Sequence, residues 1–455
     1  MRKFIHIVFI LSLCQISNVF AVTLEEALVQ GYDNDEEQHI NRNTFLTEIE
    51  QFPRAIAAFM PRIYANADST DSRIKRRSSA QNLTDFITQD NMRYSRSITL
   101  EQPVYDGWSS VNGLKAAQEA FRASRGDYYA NEQETFFREI NAYLDCVAAE
   151  EKYNISKVSV RSNGTQLESM KEKFRLGEST ETEVASAREG LATAEAQQSV
   201  AYANYEGAKA NFNRVFNVDA VALKMPEPPA GLPSSLEELT KVAVERHPSV
   251  DSARHKRLSA RAQENAAKGA LLPQVSFRVQ GGLTDYNPEQ NGSGTVNNRS
   301  ITSTLSVTVP ILAKGGAEYS DVRRAKYQTK RAAIGLDSVL KQIQASCKAS
   351  WSEYEASKLR IVAANQAVSA AEIAYEGMKQ EESLGSKTIV DVLRAEERLN
   401  QARDGRVEAR KGLALSAYKI KALAGGLTAK GMGLKVAYFE PEQEFKKIKT
   451  KIIGF

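Results

Sequence analysis

Beyond its opening residues the sequence never strings together the ~20 apolar residues that a membrane-crossing helix needs. Any passage through a bilayer must therefore be made by strands. Histidine is almost absent: of four in 455 residues, His6 falls in the leader, His247 precedes Pro248 at a helix boundary, and His39 and His255 stand apart on helices. No HExxH pattern, phosphate-binding loop or nucleophile elbow occurs. The sequence thus offers no catalytic site, metal site or cofactor, and the three histidines outside the leader read as surface or capping residues. An excess of one charge is missing too. The 60 basic and 56 acidic side chains are scattered and net +4, without the clustered basic face of a nucleic-acid binder. Cysteine is scarce. Cys14 follows Leu13 too early, and beside the wrong neighbour, for lipid attachment, while Cys146 and Cys347 occupy inequivalent positions in the duplication described next. A seven-residue helical displacement is ~10 Å, so these two read as buried thiols and not as a bridge. Proline, finally, is missing between Pro103 and Pro226 and between Pro310 and Pro441. Because proline breaks helix interiors, these two tracts are where long helices can form.

What is present begins with a leader, residues 1–21. Arg2 and Lys3 precede an apolar run from Phe4 to Leu13, and Val19-Phe20-Ala21 supplies a small-residue cleavage site. The mature chain starts near Val22 and leaves the cytoplasm. It is one plan written twice. An offset of 208 lays Leu384-Gly385 on Leu176-Gly177, Thr388 on Thr180, Asp391 on Glu183 and Val392 on Val184. From there Val392, Ala395, Leu399, Ala402, Arg406, Ala409, Leu413, Ser416, Ile420 and Leu423 step alternately by three and four. Their duplicates Val184, Ala187, Leu191, Ala194, Gln198, Ala201, Tyr205, Ala208, Phe212 and Val215 do the same. A strict seven-residue period gives each helix a continuous seam against neighbouring helices.

The first repeat covers residues 22–225, with long helices expected at about 107–172 and 179–217. The second covers 234–427, with long helices at about 315–381 and 387–424. Pro226 to Pro233 (PEPPAGLP) is a stiff linker between them, and 428–455 form a tail. Asn163-Gly164 predicts a kink in the first long helix. Helices of ~65 residues approach 100 Å, several times a bilayer, as suits a compartment-spanning wall. Single Asp and Glu residues inside them read as solvated faces.

Four strands are expected, at about 61–75, 93–105, 273–286 and 299–311. In the last, Ile301, Leu305, Val307, Val309 and Ile311 share one face, and Thr302, Thr304, Ser306 and Thr308 share the other. An apolar face backed by small polar residues suits a barrel wall with lipid outside and water inside. Unpaired backbone groups in lipid cost several kcal/mol each, and the smallest common barrels use eight strands. Four strands cannot close alone; three chains would pool twelve.

The duplicated helix–strand–strand–helix plan, the strand-ending prolines in QPVYDG and VPILAKGG, and above all LGSKTIVDVL make nearly the whole mature chain resemble the TolC family of outer-membrane efflux and type I secretion ducts. The resemblance implies a mostly α fold with a membrane β part. Long-helix coiled coils form a periplasmic tunnel, and four strands per chain join a shared twelve-stranded barrel in a homotrimer. It implies location in the outer membrane with extension into the periplasm. The implied partners are a periplasmic adaptor and an inner-membrane pump of ABC or RND type.

The two Leu-Gly turns, Leu176-Gly177 and Leu384-Gly385, would then form the periplasmic tip where the adaptor docks and the tunnel narrows. Asp391 matches the family's acidic pore constriction, with Glu183 at the duplicate position. Lys387 matches the basic residue that ties the inner hairpin to its neighbour, with Thr182 and Glu183 as acceptors. Two positions depart: Arg394 stands where a second acidic ring is usual, and Glu382 replaces a tyrosine gate contact. Arg73, Lys75, Arg76 and Arg77, just beyond the first strand, could meet lipopolysaccharide phosphates. The competing reading is a periplasmic coiled-coil adaptor or scaffold without a pore, for which the sequence has neither a lipoyl-like β module nor an inner-membrane anchor.

Overall fold

The structure, a computed structural model, describes residues 22–77, 86–288, 296–449 and 451. The leader, the two loop tips and Phe455 lie outside the described residues. Three short helices open the chain: α1 (Leu24–Asn34), α2 (Glu36–Ile49) and α3 (Gln51–Ala57). The strands β1 (Arg62–Arg77) and β2 (Phe86–Tyr105) lead into α4 (Ser109–Arg175) and α5 (Glu181–Phe216). The plan recurs as α6 (Leu236–Arg246), α7 (Pro248–Gly269), β3 (Gln274–Pro288), β4 (Val296–Thr308), α8 (Ala317–Ser383) and α9 (Ile389–Leu423). Two short helices follow, α10 (Ala429–Met432) and α11 (Pro441–Lys449). Helices α4 and α8 are both 67 residues long. They begin 208 residues apart, at Ser109 and Ala317.

Compact packing divides the chain differently from the duplication. One unit combines residues up to Ile40 with Asn131–Ala243 and Gln344–Tyr438; the other combines Asn41–Ala130, Val244–Ile343 and Phe439 onward. Both units draw on α4 and α8, so each repeat of the sequence contributes to both.

In the first unit, every position of the two seams is buried or half-buried, and none is exposed. Its larger core gathers Leu24, Leu28 and Tyr32 of α1 with Phe136, Ile140 and Tyr143 of α4, and Phe212 and Phe216 of α5. The Tyr143 hydroxyl, with one proton to share, lies 2.9 Å from the carbonyl oxygens of both Val22 and Lys224. Helix α4 runs unbroken through Asn163-Gly164, because the buried Asn163 amide donates to the Ser159 carbonyl at 2.9 Å and stays within the helix. Cys146 and Cys347 are free and buried, and burial pushes the Cys146 thiol up to about 12.

The second unit holds one antiparallel sheet in the order β1-β2-β3-β4. β1 pairs with β2 from Arg62↔Glu101 to Arg77↔Phe86, so the ladder runs past the expected strand end at about 75. The four basic residues placed beyond the first strand therefore belong to it. Arg73 forms a two-pronged pair with Asp90 across the ladder, at 2.7 and 3.0 Å. β4 stops at Thr308, short of the expected Ile311, because Pro310 removes a ladder donor. Ile301 and Leu305 are 83% and 66% exposed, on the face the alternation assigns to lipid. Beneath the sheet, Phe445 of α11 stacks on Phe121 of α4 at 3.8 Å and meets Phe52 of α3 edge-on. The tail is thus part of the fold, held by the area that aromatic rings bury.

Candidate functional site

Both Leu-Gly turns are helix ends built the same way. Gly177 and Gly385 have φ of +81° and +76°, the left-handed region that residues with a Cβ avoid. Behind Gly177, the N–H of Glu178 reaches the Lys173 carbonyl at 2.8 Å; behind Gly385, that of Ser386 reaches Glu381 at 2.9 Å. This double closure satisfies the last carbonyls of α4 and α8. It leaves Leu176 and Leu384 outside, 67% and 83% exposed. Nothing surrounds the missing Cβ of Gly385, so Gly385→Ala carries the conformational cost alone. We expect it to lower thermal stability by about 1 kcal/mol, measured by a melting curve, without changing oligomeric state.

The next helices start on capping boxes, a T-x-x-[DE] spacing in each case. Thr388 donates its N–H (3.1 Å) and hydroxyl (2.9 Å) to the same Asp391 carboxylate oxygen. At the duplicate position, Glu183 accepts from the Thr180 N–H (2.9 Å) and the Ser179 hydroxyl (2.9 Å). The Thr388 backbone bond is the main reason the Asp391 carboxyl is held below its ordinary value, and the Thr180 N–H does the same for Glu183. Both carboxylates remain charged, and both have a structural task besides any role in conduction. The T-x-x-[DE] spacing is a sequence signal for that task.

Other expected residues are arranged differently. Lys387 is exposed and pairs with neither Thr182 nor Glu183 in its own chain; Glu183 is already taken by the Thr180 cap. Arg394 is exposed one turn from Asp391 and lends it positive potential without forming a bridge. Thr182 is exposed. Glu382 does make a cross-hairpin contact, to a residue the sequence did not nominate: Lys173 of α4, at 2.7 Å.

Higher up, the buried Glu396 accepts from Gln166 at 2.8 Å, and Tyr375 bridges to Ser162 at 3.2 Å. Burial raises the Glu396 carboxyl above its ordinary value. The apolar half of this tip consists of Leu167, Met170, Ala187, Ile389 and Val392. At this tip the two hairpins, α4/α5 and α8/α9, are therefore fastened by the Lys173–Glu382 ion pair, the Gln166–Glu396 network and one small core, and farther along α4 by the pairs Lys152–Glu408, Arg410–Glu151 and Lys411–Asp145.

The histidines have ordinary work. The His247 ring accepts from the Ser249 N–H at 3.2 Å as a helix cap, and His255 sits against Glu119 at 2.6 Å. His39 meets the Asp33 carbonyl at 3.0 Å.

A family model described as "Outer membrane efflux protein" matches residues 50–217 and 239–426. The chain belongs to the outer membrane efflux protein family. Among relatives, the outer membrane efflux protein BepC of Brucella suis is 26% identical over 432 residues, covering 95% of this chain and 91% of that one. The outer membrane protein TolC of Escherichia coli is 25% identical over 344 residues, covering 73% and 69%. The CmeC outer membrane channel of Campylobacter jejuni superposes with a TM-score of 0.76 at 17% identity, covering 94% of this chain and 90% of that one. The fold is that of these outer-membrane channels, mostly helical with four antiparallel strands. As an outer membrane efflux protein the chain is an exit duct of the outer membrane, serving efflux or type I secretion.

Proposed function

We propose that three copies pool their sheets into one twelve-stranded barrel and conduct cargo passively from a periplasmic adaptor and an inner-membrane pump. The observation that carries this is the sheet itself. β1 and β4 pair with no further strand among the described residues, and the exposed side chains of Ile301 and Leu305 mark a face suited to lipid. An open edge in lipid costs several kcal/mol per unpaired group, and neighbouring copies remove both edges at once.

The tip acts as the gate. The exposed Leu176 and Leu384 give an adaptor an apolar landing point at each turn. Asp391 and Glu183 line the narrow neck, where a ring of charged carboxylates favours cations. The three Arg394 side chains that come with them reduce that preference. Lys387, with no partner in its own chain among the described residues, is free to reach a neighbouring copy's Thr182 or Glu183. Within one chain the latch is Lys173–Glu382.

A half-exposed pair of this kind is worth about 1 kcal/mol at most. Three acting together shift a closed–open balance by roughly a hundredfold. The test is single-channel recording in planar bilayers on protein that runs as a heat-modifiable trimer. Lys173→Ala combined with Glu382→Ala should raise conductance or open probability. Lys387→Ala separates a latch within one chain from one between copies. Unchanged conductance in both variants overturns the gate assignment, and a monomer that forms no channel overturns the pooled barrel.

A further inference from the structure

The first unit contains a cavity of about 600 Å³ between α4, α5 and α9, within the size range of small-molecule sites. Below it α5 and α9 come very close: a Cβ on Gly190 would lie 2.9 Å from the Leu393 side chain. Above that crossing the helices part, and the gap is lined by Ala148 and Ile155 of α4 and Ala201 of α5. Val200 stands at the open side, 63% exposed.

The charges of the lining do not balance. Its two lysines are already committed, Lys152 to Glu408 at 2.7 Å and Lys411 to Asp145 at 2.5 Å. Asp404 and Glu397 also face this space. Among the described residues Glu397 accepts only the amide of Gln401, at 3.2 Å. Asp404 has a buried carboxylate oxygen without a hydrogen-bond partner. That oxygen is closed to solvent and to any ligand, and without a donor it leaves the Asp404 charge poorly compensated, so the carboxylate draws a cationic donor to its cavity side. Surplus negative charge rules out an anion. The lack of a convergent cluster of three metal-type ligands among the described residues turns the choice from a metal ion to an organic cation.

We propose that this cavity binds an amphiphilic organic cation, its ammonium on Asp404 and its apolar body against Ala148, Ile155 and Val200. Burial already raises the Asp404 carboxyl, with Lys152 only partly offsetting it; an arriving ammonium would favour the charged form. The site lies in the helical wall, away from the tip residues, and stands whether or not the tip gates conduction.

The probe is 1-naphthylmethylammonium, titrated calorimetrically into the full-length protein in non-ionic detergent, with neutral 1-naphthalenemethanol as its counterpart. The ammonium should bind saturably, one per chain, and the alcohol should not. Asp404→Asn should weaken binding at least about tenfold, the loss expected for one charge-assisted bond. Val200→Trp, at an exposed rim where folding is little affected, should block the cavity without altering its charge. Elution volume and melting curve report that each variant is folded. No saturable binding, equal binding of the alcohol, or undiminished binding by the Val200→Trp variant overturns the proposal.

Discussion

Gly107→Ala is expected to empty the outer-membrane fraction of folded protein. Where β2 turns into α4, the chain passes Gly107 at φ +67°, and Trp108 follows at +66°. The end of α7 lies directly against this turn. A Cβ on Gly107 would sit 2.0 Å from the Gly269 carbonyl oxygen, and one on Gly269 would sit 2.3 Å from that of Gly107. Both obstacles are main chain, so no rotamer can relieve the clash. The junction is also sewn by hydrogen bonds: the Ser109 hydroxyl donates to the Ala266 carbonyl at 2.7 Å, and the Ser110 N–H to the Asp106 carboxylate at 2.7 Å.

Overpacking against yielding side chains costs about 1–3 kcal/mol, and here nothing yields, so the loss should lie beyond the top of that range. The two strand–helix junctions that meet here fix how the sheet leaves the helices. Fractionation and the heat-modifiable band should both show the loss. Two controls separate crowding from conformation. Gly113→Ala, inside α4 with open space around it, should be neutral or stabilising by up to about 1 kcal/mol. Gly315→Ala, at the duplicate of Gly107 with φ +61° and no neighbour, should bear only the left-handed cost of about 1–2 kcal/mol. A Gly107→Ala protein that reaches the membrane like wild type would refute the argument.

That junction was invisible in the sequence, whereas much of the helical scaffold was legible there. Proline-free tracts and a 208-residue offset locate α4, α5, α8 and α9 because both express a hard constraint, the missing donor of proline and the fixed period of a seam. Alternation locates the strands for the same reason. The Leu-Gly turns are legible because a left-handed helix end demands glycine.

Pairing across hairpins is not legible. Lys173 and Glu382 are 209 residues apart, and only the relative rotation of two coiled coils decides that they meet. The reading of helical Asp and Glu as solvated faces fails at Glu132, Glu139, Glu318 and Glu396, all buried. A 67-residue helix meets different neighbours along its length, so its buried face changes phase, and a charge that looks outward by one seam is inward by the next.

Glu139 gives the last prediction: Glu139→Gln should stabilise the protein at neutral pH and flatten its stability profile. Its side chain is fully buried in α4, and Gly31 of α1 approaches so closely that a Cβ there would lie 3.0 Å from a Glu139 carboxylate oxygen. Neither oxygen has a well-formed hydrogen bond. Burial pushes the carboxyl well above its ordinary 4.5, and the Asp35 carboxylate adds to the shift; Gln38 and the Arg138 guanidinium oppose it. Arg138 spends most of its charge on Asp35, at 2.9 Å, and on Glu37, at 3.1 Å.

The folded state therefore holds a proton that the unfolded chain releases near 4.5. Linkage then makes stability fall as pH climbs from about 4.5 through the raised folded value. Glutamine has nearly the same shape and no proton to lose. It removes this decline and the burial cost of a poorly bonded acid, about 1–3 kcal/mol. The duplication supports tolerance of a neutral group, since Cys347, at the same step of α8, is buried. Melting curves of both proteins from about pH 5 to 8 should converge at the acid end and separate upward, with the Glu139→Gln variant higher; parallel curves would mean that Glu139 keeps no proton of its own.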